Sequence, residues 1–197
     1  MRRMRRGFWL DSIGVTKSVI ETERLVLRTW TPADFTWFLE DMNAPATTVF
    51  LGGVRPVEHV MQRLTDNAAA LEASELGFWV VALKDGGEAV GHCGLNLIST
   101  PHAPPAIQGQ PQIGWTITEP HWRRGYALEA ARGVLRHGFG PQGYATIYSQ
   151  TSASNRPSSA MMVRLGLEPM PQYDYADPDY PGPDNPTTVY RAVRRAA

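Results

Sequence analysis

The 197-residue sequence has little of several features that would assign a protein to a class at once. Its one cysteine, Cys93, excludes an intramolecular disulfide and any multi-cysteine zinc site. The 19 basic and 19 acidic residues give a formal net charge of zero, so no global field attracts nucleic acid or an anionic membrane. No apolar run approaches the roughly 20 residues that span a bilayer. The histidines show no metal-ligand spacing, so we expect no metal.

The start of the chain is basic, with four arginines among its first six residues. The apolar run that follows, residues 8–10, is too short for a signal peptide, so residues 1–20 are predicted to be a flexible basic arm. A solvated tail is the first interpretation of this arm, and binding to RNA or to a phosphate surface is the alternative. Cys93 lies in an apolar stretch and is predicted to be a buried filler rather than a nucleophile, which fits a reducing cytoplasm.

Residues 21–197 have the composition of one α/β domain. Hydrophobic residues make up 43% of the chain, which is enough for a core at this length. Alternating apolar residues predict seven strands, and amphipathic spacing with caps predicts four helices. The predicted strands cover residues 24–30, 78–83, 89–97, 112–117, 146–151, 168–173 and 187–193, and the predicted helices begin near residues 32, 57, 126 and 156.

Residues 119–127, EPHWRRGYA, join one predicted strand to one predicted helix. The first N–H groups of a helix lack internal partners and lie at its positive end, so they can bind an anion. Gly125 permits close approach to the backbone, and Arg123 and Arg124 add charged donors. This pattern predicts a phosphate site, although an ordinary strand-to-helix turn with two solvated arginines would have the same sequence.

A second helix opens with Asn155 and Ser158 and ends in the run Leu-Gly-Leu at residues 165–167. Together with the Gly-Tyr-Ala-x-Glu-Ala run at residues 125–130, this order resembles the GNAT acyltransferase superfamily, specifically its RimJ/RimL-like branch of N-terminal acetyltransferases. The resemblance implies a single mixed, mostly antiparallel twisted sheet flanked by helices. It also implies acetyl-CoA as cosubstrate and an amine as acceptor.

The resemblance also assigns the cofactor site. Pyrophosphate is expected on the backbone of Arg123, Arg124, Gly125, Tyr126 and Ala127. Pantetheine is expected along Trp115, Thr116 and Ile117, with a backbone N–H aimed at the thioester oxygen. Asn155 and Ser158 are expected beside it. Each has a simpler alternative: Asn155 as a helix cap, Ser158 as a polar first-turn residue, and Trp115 as a core residue.

The catalytic groups are less clear from the sequence. Many superfamily members carry a tyrosine general acid where this chain has Met162, although an apolar residue is usual in the RimJ/RimL-like branch. That branch often has a glutamate where this chain has Gln112, which cannot take a proton. Ser158 and Glu119 are the candidate catalytic residues, and the substitutes considered for the missing base are Glu119, His92, His121, Asp174 and a water chain.

The acceptor is predicted from acid–base chemistry. Transfer requires a neutral amine, and an α-amino group has a pKa near 7.7 to 8.0 against about 10.4 for lysine. The difference, about 3 kcal/mol, favours a protein or peptide N-terminus over a lysine, and small weakly basic amines qualify equally. A GNAT module that binds acyl-CoA without useful catalysis remains an alternative. The family commonly forms homodimers, and residues 174–186 are either a substrate-facing flap or a passive loop.

Overall fold

A computed structural model describes residues 16–178 and 184–194. They form one twisted sheet in the order β1-β2-β3-β4-β5-β6-β8-β7. Every neighbouring pair is antiparallel except β5 and β6, which are parallel. The strands are β1 (Ser18–Glu21), β2 (Leu25–Arg28), β3 (Gly77–Leu83), β4 (Ala89–Leu97), β5 (Pro111–Ile117), β6 (Thr146–Ser152), β7 (Glu168–Pro169) and β8 (Thr187–Val193).

Five α-helices accompany the sheet in the described ranges. They are α1 (Pro32–Trp37), which continues as a π-helix over Phe38–Met42, α2 (Pro45–Thr48), α3 (Val57–Ser74), α4 (Tyr126–Phe139) and α5 (Arg156–Arg164). The predicted class, one mixed and mostly antiparallel sheet with about seven strands and about four helices, is confirmed. None of the described helices has the length and apolarity that crossing a membrane requires.

The differences from the prediction concern short elements. Strand β1 and helix α2 are four residues each, too short to show a periodic pattern, and neither was predicted. The strand predicted over 168–173 is wrong beyond residue 169, because Pro171 cannot donate to a ladder and opens a 3₁₀ turn instead. Residues 1–15 of the predicted flexible arm lie outside the described residues, and the prediction is wrong at residues 18–20, which belong to β1 and pair with β2.

Two helices cover the two faces of the sheet. Helix α4 packs on β4, β5 and β6 through Ala130, Ala131 and Val134, all fully buried. Helix α3 packs on β3 from the other face through Val60 and Leu64. The small residues of α4 bring its axis close to the strands, and this packing fixes where the helix begins relative to the end of β5.

Cys93 lies in β4 and is fully buried in this core. Burial raises the pKa of its thiol, because the thiolate would lose its hydration. The thiol is therefore kept neutral and unreactive, and its predicted role as a packing residue is confirmed.

Helix α1 is tied to the sheet through Asp34. The Arg28 guanidinium of β2 donates to both Asp34 oxygens, at 2.7 and 2.8 Å, and the Thr31 N–H donates to Asp34 Oδ2 at 2.6 Å. Burial raises the pKa of this carboxyl, but the hydrogen bonds outweigh burial and the pKa is lowered from its usual value. Thr31 is the N-terminal cap of α1, and the Arg28–Asp34 ion pair ties this helix to β2.

Candidate active site

The site begins where β5 and β6 separate. These parallel strands are paired at Gln112 and Tyr148, and Ser149 Oγ donates to the Ile113 carbonyl at 2.9 Å. Beyond these contacts no register pairs join the two strands, so the backbone of β5 from Gly114 onward faces a cleft. The unpaired N–H and C=O groups of a strand can form hydrogen bonds with an extended molecule that itself carries amides.

The outer end of β5 leads into the predicted phosphate turn. Gly125 precedes the first residue of α4 and has a left-handed backbone with φ of 82°. Arg123 is also left-handed, with φ of 62°. Arg123, Arg124 and Gly125 are exposed, and among the described residues Arg24 is the one whose guanidinium lies against this turn. The predicted helix start is confirmed, and the first N–H groups of α4 face an open surface.

An ion-pair network holds this turn in place. Glu129, in the first turn of α4, accepts hydrogen bonds from Thr22 Oγ1 at 2.6 Å and from the Arg24 N–H at 2.8 Å. Arg24 also donates through Nε to Glu129 at 2.7 Å and through Nη1 to the Arg124 carbonyl at 3.0 Å. Its guanidinium lies over the Tyr126 ring, 4.8 Å from the centroid. The β1–β2 turn therefore fixes the conformation of the phosphate turn.

The same contacts stabilise the ionised form of the Glu129 carboxyl. Burial raises the pKa of its carboxyl, but hydrogen bonds from Thr22 and Arg24 outweigh burial and lower the pKa below its usual value. In the sequence Glu129 is the acidic position of the Gly-Tyr-Ala-x-Glu-Ala run, and nothing in that run indicates its partners. Its partners lie 105 and 107 positions away along the chain, so no local pattern could have identified the network.

The two tryptophans near the turn differ. Trp122 is 44% exposed, and its Nε1 donates to the Ile117 carbonyl at 2.6 Å, which braces the end of β5 against the turn. Trp115 is half-buried against the core and also lines the main cavity. The core interpretation of Trp115 therefore holds, and the same residue contributes to the lining of the cavity.

Asn155 and Ser158 stand on the opposite wall of the cleft. Asn155 Oδ1 accepts from the Ser158 N–H at 3.2 Å, so Asn155 caps α5. In the described chain no hydrogen bond uses Asn155 Nδ2 or Ser158 Oγ, and both residues line the main cavity. The cap leaves these two polar groups free for a ligand. Gly166, with φ of 83°, ends α5 as predicted.

The main cavity has a volume of about 410 Å³ and connects this cleft to the face covered by α3. On the cleft side its lining is polar, and on the α3 side it is aromatic. His92 forms the floor between two rings, with centroids 5.6 Å from Phe38 and 4.9 Å from Phe78. Trp30, Phe50, Arg55 and Arg63 also line the α3 side. The cavity can hold a thioester at the cleft and a second small molecule beyond it.

The residues considered as proton acceptors are spread over the molecule. Glu119 is exposed in the 3₁₀ turn after β5 and does not line the main cavity, so it has no access to an acceptor bound there. His121 bonds Thr118 Oγ1 at 3.0 Å and lies 3.3 Å from Glu88, in a different recess. Asp174 accepts from the Val189 N–H and is exposed. Of the four residues Glu119, His92, His121 and Asp174, His92 is the one that lines the main cavity.

His92 itself is a neutral group. Burial, and secondarily the charge of Arg63, lower its pKa to about 3. An imidazole with this pKa holds a proton too weakly to serve as an efficient base at neutral pH. It can orient a substrate through its ring nitrogens. Met162, in the position of the usual tyrosine, is buried and apolar.

A chain of side-chain amides spans the point where the strands separate. Gln150 Nε2 donates to Gln112 Oε1 at 2.7 Å, and Tyr175 Oη donates to Gln150 Oε1 at 2.8 Å. Gln112 is therefore held in place beside the site through its carbonyl oxygen, and its amide cannot act as a base. Sequence reasoning missed Gln150 because only the parallel pairing of β5 and β6 brings it beside Gln112. Within the described residues no group of His, Cys, Asp and Glu could hold a metal.

Comparisons with known proteins agree with this geometry. Residues 24–168 match the Acetyltransferase (GNAT) domain. An uncharacterized N-acetyltransferase, YoaA of Bacillus subtilis (strain 168), is 24% identical over 181 residues, covering 89% of this chain and 97% of the relative. The crystal structure of an acetyltransferase from Agrobacterium tumefaciens str. C58 superposes with a TM-score of 0.74 at 28% identity, covering 90% of this chain and 95% of the other.

The chain therefore belongs to the GNAT acetyltransferase family. It is an acetyltransferase, and enzymes of this fold use acetyl-CoA. The ribosomal L7/L12 α-N-protein acetyltransferase RimL shares the fold with a TM-score of 0.68 at 14% identity, covering 91% of this chain and 95% of RimL. At that identity the likeness concerns the fold alone.

Proposed function

We propose that the protein transfers an acetyl group from acetyl-CoA directly to a primary amine. The observation that carries the proposal is the separation of β5 from β6, with an open phosphate turn at one end and a cavity at the other. Pyrophosphate would rest on the backbone of residues 123–127, and pantetheine would follow Trp115, Thr116 and Ile117. Asn155 and Ser158 would hold it from the other wall.

The chemistry follows from the groups beside the cleft. The amine nitrogen attacks the thioester carbonyl, a β5 N–H stabilises the developing oxyanion, and the C–S bond breaks to release CoA. One oxyanion donor of this kind is typically worth about 3 to 4 kcal/mol. The amine loses its proton and the sulfur gains one. Ser158, which lines the cleft, is our candidate to donate a hydrogen bond to the departing sulfur.

Gln112 stands where a carboxylate could have deprotonated the acceptor amine, so the pKa of the acceptor matters. Because an amide at this position cannot take a proton, an acceptor that already has a substantial neutral fraction in solution is favoured. An α-amine has such a fraction at a lower pH than a lysine side chain, and the difference between their pKa values corresponds to about 3 kcal/mol. We therefore propose a protein or peptide α-amine, as in the RimJ/RimL-like branch, with a small weakly basic amine as the alternative. The lone buried thiol supports a cytoplasmic location.

The test is incubation of the protein with acetyl-CoA and mixtures of peptides and small amines. We expect mass spectrometry to find products heavier by one acetyl group and a thiol reagent to detect equal amounts of free CoA. Asn155→Leu serves as the site variant and Ser74→Ala, at the exposed end of α3, as the matched surface control. Coenzyme binding without acetylated product would instead favour the binding-module alternative that Gln112 and Met162 raise.

A further inference from the structure

One face of α3 and the loop before this helix line one side of the cavity. His59, Val60, Arg63, Leu64 and Asn67 recur at helical spacing, and all line the cavity. Val60 and Leu64 are buried, while Asn67 is bonded to Phe78 through both its amide atoms, at 2.6 and 2.9 Å. The face is thus held against β3, and Arg63, on the same face, is exposed and lines the cavity together with Phe78 and His92.

The charges on the two walls of the cavity differ. Arg55 and Arg63 stand on the α3 side, and Asp177 and Asp184 stand on the side of β6 and β8. In ranges 16–178 and 184–194 neither arginine forms an ion pair with a carboxylate. Asp184, in contrast, already accepts from the Ser152 and Ser154 hydroxyls, at 3.2 and 2.6 Å. The positive charges of Arg55 and Arg63 are therefore not neutralised by a described carboxylate and can attract an anionic ligand.

Within the described part of the chain the side chain of Arg55 forms a hydrogen bond and that of Arg63 does not. The Arg55 backbone is bonded on both sides to the Asn43 amide, and its Nη2 donates to the Leu51 carbonyl at 3.2 Å. The charge of Arg63 also reaches the floor of the cavity, since it contributes, after burial, to the lowered pKa of His92. A planar guanidinium in a cavity that is also lined by aromatic rings suits a carboxylate or phosphate attached to an apolar body.

We infer that the amine acceptor carries an anionic group beside an apolar or aromatic body, and that Arg63 binds this anion while the amine points toward β5. The inference rests on the proposed acetyl transfer and specifies its acceptor. The shared chemistry is a primary amine with a nearby carboxylate or phosphate. A free amino acid and a peptide whose early residues are acidic both supply it.

The experiment compares matched acceptors that differ only in this charge. L-phenylalanine against L-phenylalaninamide is the small-molecule arm, and the dipeptide amides Phe-Asp and Phe-Asn form the peptide arm. Neutral L-phenylalaninamide has the more readily deprotonated amine, so intrinsic reactivity opposes the predicted preference in the first arm. We expect the acidic member of at least one arm to have the higher kcat/KM, by roughly tenfold or more.

Arg63→Met removes the guanidinium and keeps an apolar stem. It is expected to reduce that preference to roughly threefold or less, mainly through KM, and to leave the neutral acceptor within about twofold. Arg63→Lys should retain part of the preference, because lysine keeps the positive charge but cannot donate the two parallel hydrogen bonds of a guanidinium. Arg132→Met, on the exposed face of α4, is the matched control and should leave both acceptors unchanged.

Two results would overturn the inference while leaving acetyl transfer intact. One is a wild-type enzyme that acetylates the neutral and acidic acceptors of both arms equally well. The other is an Arg63→Met variant that loses the same factor on both members of a pair, since that loss reports folding or cofactor binding. If no amine in either arm or in the broader mixture is acetylated, the proposed function fails and the inference fails with it.

Discussion

Individual residues in this protein are charged or neutral according to what surrounds them, and His92 is the sharpest case. Its ring lies between Phe38 and Phe78, and its pKa is lowered to about 3. The unfolded chain has the ordinary value near 6.5 and takes up the proton first as the pH falls. The stability that neutral His92 contributes is therefore complete above about pH 6.5 and is lost progressively as the pH falls toward 3.

The corresponding prediction concerns His92→Phe, which keeps a ring between the two aromatics. Between pH 6 and pH 4 the wild-type protein should lose up to about 1.4 kcal/mol of unfolding free energy per pH unit more than the variant. Urea unfolding at several pH values measures this difference. His102→Phe, at an exposed position, is the control and should follow the wild type. Parallel curves for wild type and His92→Phe would contradict the assignment.

Gly125 is the second residue whose environment defines its role. Its left-handed backbone strains any side chain, and an added Cβ would lie 3.4 Å from Arg24 Nη2. Gly125→Ala should lose about 1 to 2 kcal/mol of unfolding free energy and weaken CoA binding by roughly tenfold, because the first amides of α4 shift. Calorimetric titration with CoA measures the second effect.

Gly143→Ala provides the matched control for this prediction. Gly143 is also left-handed, with φ of 71°, and an added Cβ would meet nothing within 4 Å. It should show a similar loss of stability with unchanged CoA affinity. Equal affinity in the two variants would mean that the turn at Gly125 does not bind the coenzyme.

At the scale of elements, the turn between β1 and β2 is tied to the start of α4 by one carboxylate. Glu129→Gln keeps the size of the side chain and removes its charge. The variant should lose about 1 kcal/mol of unfolding free energy at pH 7, a modest value because Arg24 is 45% exposed. Because the pKa of folded Glu129 lies below its usual value, this stability is present above the unfolded pKa and is lost as the pH falls through the folded one.

The measurement is chemical unfolding at pH 7 and below pH 4, where the difference from wild type should shrink. Glu168→Gln is the control, since its carboxylate is exposed and pairs with Arg191 at 3.5 Å across β7 and β8, away from the turn. CoA affinity should fall severalfold in Glu129→Gln alone, because Arg24 also positions the Arg124 carbonyl. An unchanged affinity would separate this network from the phosphate turn.

At the scale of the whole molecule, coenzyme binding should stabilise the fold, because its expected contacts join β5, α4 and α5. At a CoA concentration about 100 times Kd, mass action adds about 2.7 kcal/mol to the unfolding free energy. For a domain of this size the Tm should rise by roughly 5 to 10 °C. Thermal unfolding with and without CoA measures the rise. A Tm that stays constant across millimolar CoA would contradict the cofactor site.

The elements with strong local patterns were predictable from the chain. Helix α3 and strand β8 have the predicted bounds, and α4 begins at the predicted turn. The phosphate turn was predictable for the same reason, since Gly125 and its neighbours are contiguous. The cavity was not, because Arg63, His92 and Gln150 come from one helix and two strands and share no sequence spacing.

Periodicity and contiguous motifs in the sequence thus determined the fold class, the family resemblance and the place of the phosphate turn, because each depends on residues a few positions apart. Tertiary structure decided which groups meet across the sheet. The parallel pairing of β5 with β6 set Gln150 against Gln112, the packing of α3 brought Arg63 to the cavity that His92 also lines, and burial neutralised His92. These outcomes depend on distances and on desolvation, which only the folded chain defines.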